Sequence, residues 1–218
     1  MDEGIAMNFI QIALTTKCNL ACLHCPIEAY RNTDDEPFTL SAARLIPWLA
    51  KYIDPKEWVV ELTGGEPALF KDLDHLCQWL SGNKYQTIIK TNGTLQIKSY
   101  PHILRVAAFH NLDRPPRYFD VILIIDKLDC EAKERYCKEH GWPYKVIGFN
   151  KENPDGATHG FDKIAFIDPH GHNVPCPSCP ILWKSGDDPY IIEKKPLSKG
   201  RCCPQCKAAI DAWRFLYI

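Results

Sequence analysis

The sequence has almost no net charge and lacks any long apolar run. Its 26 Lys and Arg stand against 27 Asp and Glu, a formal net charge of −1. No strong global field therefore draws the chain to nucleic acid or to an anionic membrane. A modest basic excess from Lys184 to Arg214 is read as a solvated face. No apolar stretch approaches the ~20 residues needed to cross a bilayer, so no membrane partner is expected. The opening MDEGIAMNF has neither the basic nor the apolar region of a signal peptide. Internal repeats and low-complexity segments are also missing. These absences point to a cytoplasmic protein, where thiols stay reduced.

Cysteine, by contrast, is plentiful. There are 11 among 218 residues, an odd number, with eight in tight clusters. In a reducing compartment that pattern reads as metal binding rather than a disulfide framework. With 45% hydrophobic residues, the chain can bury the core of one full domain plus a small appendage.

Short β-branched or apolar runs occur at Asn8–Leu14, Trp58–Leu62, Tyr85–Lys90, Phe119–Ile125, Tyr144–Phe149 and Lys163–Ile167. Between the first five lie stretches of helical character, at Ser41–Tyr52, Leu73–Leu80, Tyr100–Ala108 and Glu131–His140. Leu45, Trp48, Leu49 and Tyr52 recur at the spacing of one buried helix face. Thr39 or Ser41 can cap that helix, and Pro47 should kink it or shift its start. Strands alternating with helices predict right-handed crossovers and a parallel α/β sheet of six strands. An open or partial barrel and a doubly wound sheet both fit this pattern. In either, chemistry belongs at the carboxyl ends of the strands. After residue 170 the alternation stops, which predicts a domain over residues 1–170 and a Cys-rich metal-binding extension over 171–218. In that extension KSGDDPY reads as a hairpin turn and Ala208–Tyr217 as a short helix.

Directly after the first strand, TTKCNLACLHCP places Cys18, Cys22 and Cys25 in one loop. A closed tetrahedral zinc site wants four ligands. Three thiolates hold three irons of a four-iron cluster and leave the fourth iron open. CNLACLHC resembles the CxxxCxxC signature of the radical S-adenosylmethionine (radical SAM) superfamily, with the ring of His24 before the third cysteine. After the second strand, Thr63-Gly64-Gly65-Glu66-Pro67 resembles the family's glycine-rich motif, and KTNG at 90–93 follows the third strand as family text does. The resemblance covers residues 8 to about 167 and implies a partial (β/α)6 barrel with parallel strands.

It also implies a 4Fe-4S cluster on Cys18, Cys22 and Cys25, with S-adenosylmethionine completing the unique iron. Gly64, Gly65 and Glu66 would hold the methionine amino group. Thr91 and Asn92 would bond its carboxylate or ribose, although Asn-Gly is also a common turn. Asp126 at the end of VILIID is either a ribose contact or a helix cap. His24 either stacks near the adenine or packs against the cluster loop. Reductive cleavage would give a 5′-deoxyadenosyl radical that abstracts hydrogen from substrate, with an electron donor such as flavodoxin or ferredoxin as partner.

A second cluster stands in the tail. Cys176 and Cys179 in CPSC, and Cys203 and Cys206 in CPQC, form two knuckles separated by 23 residues. Paired knuckles predict a four-thiolate site. Its metal is either zinc or an auxiliary 4Fe-4S cluster, since FIDPHGHNVPC resembles the opening of the auxiliary-cluster domains called SPASM and twitch. Cys202 sits one residue too far from Cys206 for the knuckle. Cys77, Cys130 and Cys137 read as buried apolar thiols.

The expected function is a radical SAM enzyme acting on a small polar or nucleoside-like molecule. A peptide maturase and a glycyl-radical activase are enzyme alternatives. A zinc-knuckle binding module is the non-enzyme alternative, and the lack of a basic-aromatic stripe argues against nucleic acid as its partner.

Overall fold

The computed structural model describes residues 8–22, 39–126, 129–148 and 164–167. Within them seven strands form one sheet, every neighbouring pair parallel. In chain order the elements are β1 (Asn8–Ala13), α1 (Ala42–Tyr52), β2 (Trp58–Thr63), a 3-10 turn (Pro67–Leu69), α2 (Leu73–Gly82), β3 (Gln86–Thr91), β4 (Ile103–Ala108), β5 (Val121–Asp126), α3 (Cys130–Glu139), β6 (Tyr144–Gly148) and β7 (Ile164–Ile167).

The spatial order is β6-β5-β4-β3-β2-β1-β7. Six strands follow one another without reversal, so right-handed crossovers place the helices on one face. A doubly wound sheet would reverse at a switch point, and β1 to β6 contain none. This is the order of a barrel wall, with β7 returning beside β1. Among the described residues no helix is long and apolar enough to cross a membrane.

Side-chain alternation divides the sheet. Ile10, Ile12, Val60, Leu62 and Ile89 pack with Leu45, Trp48 and Leu49 of α1 and Leu73, Leu76, Cys77 and Leu80 of α2. Burying each large aliphatic side chain stabilises by about 1.5–3 kcal/mol. Farther along, Ile122, Ile124 and Phe109 meet Cys137 of α3, flanked by the rings of Tyr136, Trp142 and Phe119. Ser41 stands at the N-cap of α1 without a side-chain capping bond, and the helix continues through Pro47 rather than starting there.

One expectation is corrected. Tyr100–Ala108 reads as helix, but Ile103–Ala108 is a central strand, β4, which makes the strands seven rather than six. Both its edges are paired, Thr87 to Thr91 with Ile103 to Ala107 on one side and Val106 to Ala108 with Val121 to Leu123 on the other. Pairing and burial override the helix-forming Leu and Ala within it. Arg105 fixes the strand further. Its Nε and Nη2 donate to Asp120 at 3.1 and 2.6 Å, and its Nη1 to the Ile97 carbonyl at 2.9 Å. The expected boundary near 170, the KSGDDPY turn and the Ala208–Tyr217 helix lie outside the described residues.

Candidate functional site

Strands β1, β2 and β3 lie side by side and parallel, so their carboxyl ends bring three loops together. Leu14 N–H donates to the Thr63 carbonyl at 2.8 Å, carrying the ladder one step past β1. The cysteine loop is then laid on the glycine turn. Gly65 N–H donates to the Thr15 carbonyl and Glu66 N–H to the Lys17 carbonyl, each at 2.7 Å. A β-carbon on Gly64 would stand 2.5 Å from the Thr15 carbonyl oxygen, and one on Gly65 would stand 2.1 Å from that of Lys17. Gly64 also has φ +132°, which side-chain-bearing residues rarely adopt. The glycines thus let two stretches of backbone touch just ahead of Cys18.

Glu66 ties this turn to β3. Its carboxylate is fully buried. Oε1 accepts from Ala68 N–H at 3.0 Å and from the Thr91 hydroxyl at 2.7 Å, while Oε2 accepts from Asn92 N–H at 2.8 Å. Burial pushes the carboxyl above its ordinary range, and the hydrogen bonds from Asn92, Ala68 and Thr91 pull against that.

Asn92 reaches across to the cysteine loop. Its Nδ2 donates to Asn19 Oδ1 at 2.8 Å and lies 4.0 Å from Cys18 Sγ. Its Oδ1 accepts from Thr94 N–H at 3.0 Å and from the Thr94 hydroxyl at 2.6 Å. Asn19 Nδ2 donates in turn to Thr94 Oγ1 at 2.8 Å, closing a ring of three side chains. On the loop's other side Thr15 and Thr39 join through their hydroxyls at 2.8 Å.

The structure therefore brings together Cys18, Gly64, Gly65, Glu66, Thr91 and Asn92. Cys22 follows in the same loop, half-buried like Cys18. Asp126 closes β5, separated from β3 by β4. Cys25 and His24 lie outside the described residues, as do Cys176, Cys179, Cys203 and Cys206. The remaining described thiols differ in kind. Burial pushes Cys77 up to about 12 and Cys137 up to about 11, so both stay protonated. Cys130 is half-buried and reaches Glu134 at 3.7 Å. Cys18 Sγ instead accepts the Leu20 N–H at 3.5 Å.

The sequence motifs assign no role to Asn19, Thr94 and Thr15, nor to a polar group within the sheet, on the face away from α1 and α2. There the Gln11 amide donates to the fully buried Glu61, and Lys90 Nζ stands 3.0 Å from the other Glu61 oxygen as an ion pair. Three polar residues inside otherwise apolar strands were the available signal.

No family profile matches the chain. It is 28% identical over 158 residues to a probable GTP 3′,8-cyclase of Archaeoglobus fulgidus, covering 72% of this chain and 48% of that one. It is 33% identical over 103 residues to the mitochondrial GTP 3′,8-cyclase of Arabidopsis thaliana, covering 46% and 26%. An AdoMet-dependent heme synthase of Oleidesulfovibrio alaskensis is 31% identical over 94 residues, covering 43% and 24%. These relatives are radical SAM enzymes. The chain resembles the radical SAM superfamily, to which these relatives belong. It spans about half, or less, of the length of these relatives. The solved structure of Streptococcus suis SuiB bound to S-adenosylmethionine shares the fold, with a TM-score of 0.58 at 14% identity over 94% of this chain and 68% of that one.

Radical SAM proteins carry a 4Fe-4S cluster and S-adenosylmethionine, and the described thiols Cys18 and Cys22 suit a thiolate-held iron site. Cys18 Sγ is approached by the Leu20 N–H and by Asn92 Nδ2, donors that would favour a thiolate there. The cysteine loop lies at the strand ends, where the fold places cofactors. Its backbone is seated on Gly64 and Gly65, and Thr91 and Asn92 are fixed beside it by Glu66.

Proposed function

We propose that the chain is a radical SAM enzyme acting on a small polar or nucleoside-like molecule. Cys18, Cys22 and Cys25 would hold the 4Fe-4S cluster. Gly64, Gly65, Glu66, Thr91 and Asn92 would form the S-adenosylmethionine seat, with His24 and Asp126 completing it at the adenine and ribose. The observation that carries this reading is the joining of three strand-end segments around Cys18 by Gly65, Glu66 and Asn92. The nucleotide class is supported by relatives named for acting on GTP.

When bound, the cluster and S-adenosylmethionine supply an electron and a hydrogen-abstracting radical. The protein's own residues do the positioning. Gly64 and Gly65 seat the loop, and Glu66 fixes Thr91 and the Asn92 N–H relative to it. A flavodoxin or ferredoxin is the electron donor in this reading, in the cytoplasm.

We further propose that residues 1–170 form the radical SAM domain and 171–218 a metal-binding extension. Its four cysteines, Cys176, Cys179, Cys203 and Cys206, would close one auxiliary 4Fe-4S or zinc centre. Elemental analysis of a variant with Cys18, Cys22 and Cys25 all replaced by Ala isolates that centre. About four irons mark an auxiliary cluster and about one zinc a knuckle, while neither metal refutes the site.

The functional reading is tested by anaerobic reconstitution, dithionite and S-adenosylmethionine, with 5′-deoxyadenosine as the readout. Cleavage is expected, and faster cleavage with GTP or another nucleoside triphosphate present would support the nucleotide class. No cleavage by iron-loaded protein refutes the enzyme. Cleavage indifferent to nucleotides, but stimulated by a small polar metabolite without a base, refutes the nucleotide class alone.

A further inference from the structure

The Asn92 carboxamide is committed to the chain itself. It is 7% exposed, its oxygen accepts both Thr94 donors, and one amide hydrogen goes to Asn19. With the oxygen held by Thr94, the amide group has a single orientation, its NH2 towards the cysteine loop. That orientation points Nδ2 at Asn19 and brings it to 4.0 Å from Cys18 Sγ. Asn19, the residue after Cys18, is gripped a second time through Thr94 Oγ1. The ring thus holds both the position of Cys18 and the polarity of its surroundings.

We propose that Asn92 is a positioning residue that raises the reduction potential of the cluster through Cys18, with Asn19 and Thr94 locking its amide in the donating orientation. The inference rests on Cys18 being a cluster ligand. Donors directed at a cluster's sulfur atoms withdraw electron density and ease reduction, one of the levers by which proteins tune such potentials. The Leu20 N–H, at 3.5 Å from the same sulfur, is a backbone donor that side-chain replacement leaves in place. Asn92 is therefore the adjustable part of the pair.

The experiment is an anaerobic redox titration of reconstituted full-length protein, followed by electron paramagnetic resonance without S-adenosylmethionine. The relevant signal is the one lost in Cys18→Ala. Asn92→Ala removes the donor, and the midpoint potential is expected to shift negative. Asn92→Asp keeps the size but sets a carboxylate beside the sulfur, and a larger negative shift is expected. A purely structural role would not rank Asp beyond Ala in this way. Thr94→Val frees the amide and is expected to give a shift in the same direction. It also decides the matter if the Asn92 variants fail to assemble a cluster. Unchanged potentials with undiminished iron, or a positive shift, overturn the proposal. A wild-type protein with no signal dependent on Cys18 instead refutes the cluster reading beneath it.

Discussion

Gly65 lies against Lys17 so closely that a β-carbon on the glycine would stand 2.1 Å from the Lys17 carbonyl oxygen. That oxygen already accepts the Glu66 N–H at 2.7 Å. The contact joins two motifs that are 48 residues apart in the chain, and it fixes the backbone immediately before Cys18.

Gly65→Ala must therefore displace the cysteine loop. Forcing atoms into a filled space costs typically 1–3 kcal/mol, and iron per chain after reconstitution should fall along with the urea midpoint. Gly82→Ala is the control. Nothing lies within 4 Å of its β-position at the end of α2, so that variant should gain up to about 0.5–1 kcal/mol with iron unchanged. Equal iron loading in both variants would contradict this role for Gly65.

Glu66→Gln retains shape but not acceptors. Wherever the new NH2 group turns, it faces a backbone N–H, that of Ala68 on one side or Asn92 on the other. An unsatisfied buried donor costs about 1–3 kcal/mol. Stability by urea unfolding and S-adenosylmethionine affinity by calorimetry should both drop. A variant as stable as wild type would show that the brace is dispensable.

Asp120→Asn tests the clamp on β4. Burial works to raise the Asp120 carboxyl, but its hydrogen bonds and ion pair with Arg105 outweigh burial and hold it below its ordinary range. A depressed carboxyl stabilises the fold above its unfolded value of about 3.9, and that contribution is lost as pH falls through the lower folded value. Hydrogen bonds to charged groups contribute about 1.5–3 kcal/mol. The gap in unfolding free energy between wild type and variant should be full near neutral pH and close below pH ~4. A gap that is constant with pH would contradict the assignment.

Lys90→Met leaves the buried Glu61 carboxylate with Gln11 alone. Removing one member of a buried pair costs up to about 3–5 kcal/mol, while replacing both by apolar residues is often neutral. Lys90 is 22% exposed, which tempers the loss. Urea unfolding should show Lys90→Met well below wild type and the double variant Glu61→Leu/Lys90→Met much closer to it. Additive losses would contradict a coupled pair.

Much of this was legible in the sequence. β-Branched runs mark β1, β2, β3, β5, β6 and β7, and the helix-face spacing of Leu45, Trp48 and Leu49 matches the buried side of α1. β4 was not legible, because Leu104, Arg105, Ala107 and Ala108 favour helix locally and only neighbours on both edges impose a strand. The three motifs around the site were readable one by one. Their mutual contacts were not, since Asn19 meets Asn92 and Thr94 across 73 and 75 residues of chain. The glycine turn shows the gap best. The room at both its β-positions is taken by the backbone from Thr15 to Lys17, neighbours that the local sequence of the turn does not name.

Carrying the chemistry is the proposed role of Cys18, Cys22 and Cys25. It is tested most directly by 5′-deoxyadenosine formation under dithionite in wild type and in the variant with all three replaced by Ala, with far-ultraviolet circular dichroism confirming that both remain folded. Steady formation by wild type and none by the variant is the expected result. Undiminished formation by the folded variant would contradict it.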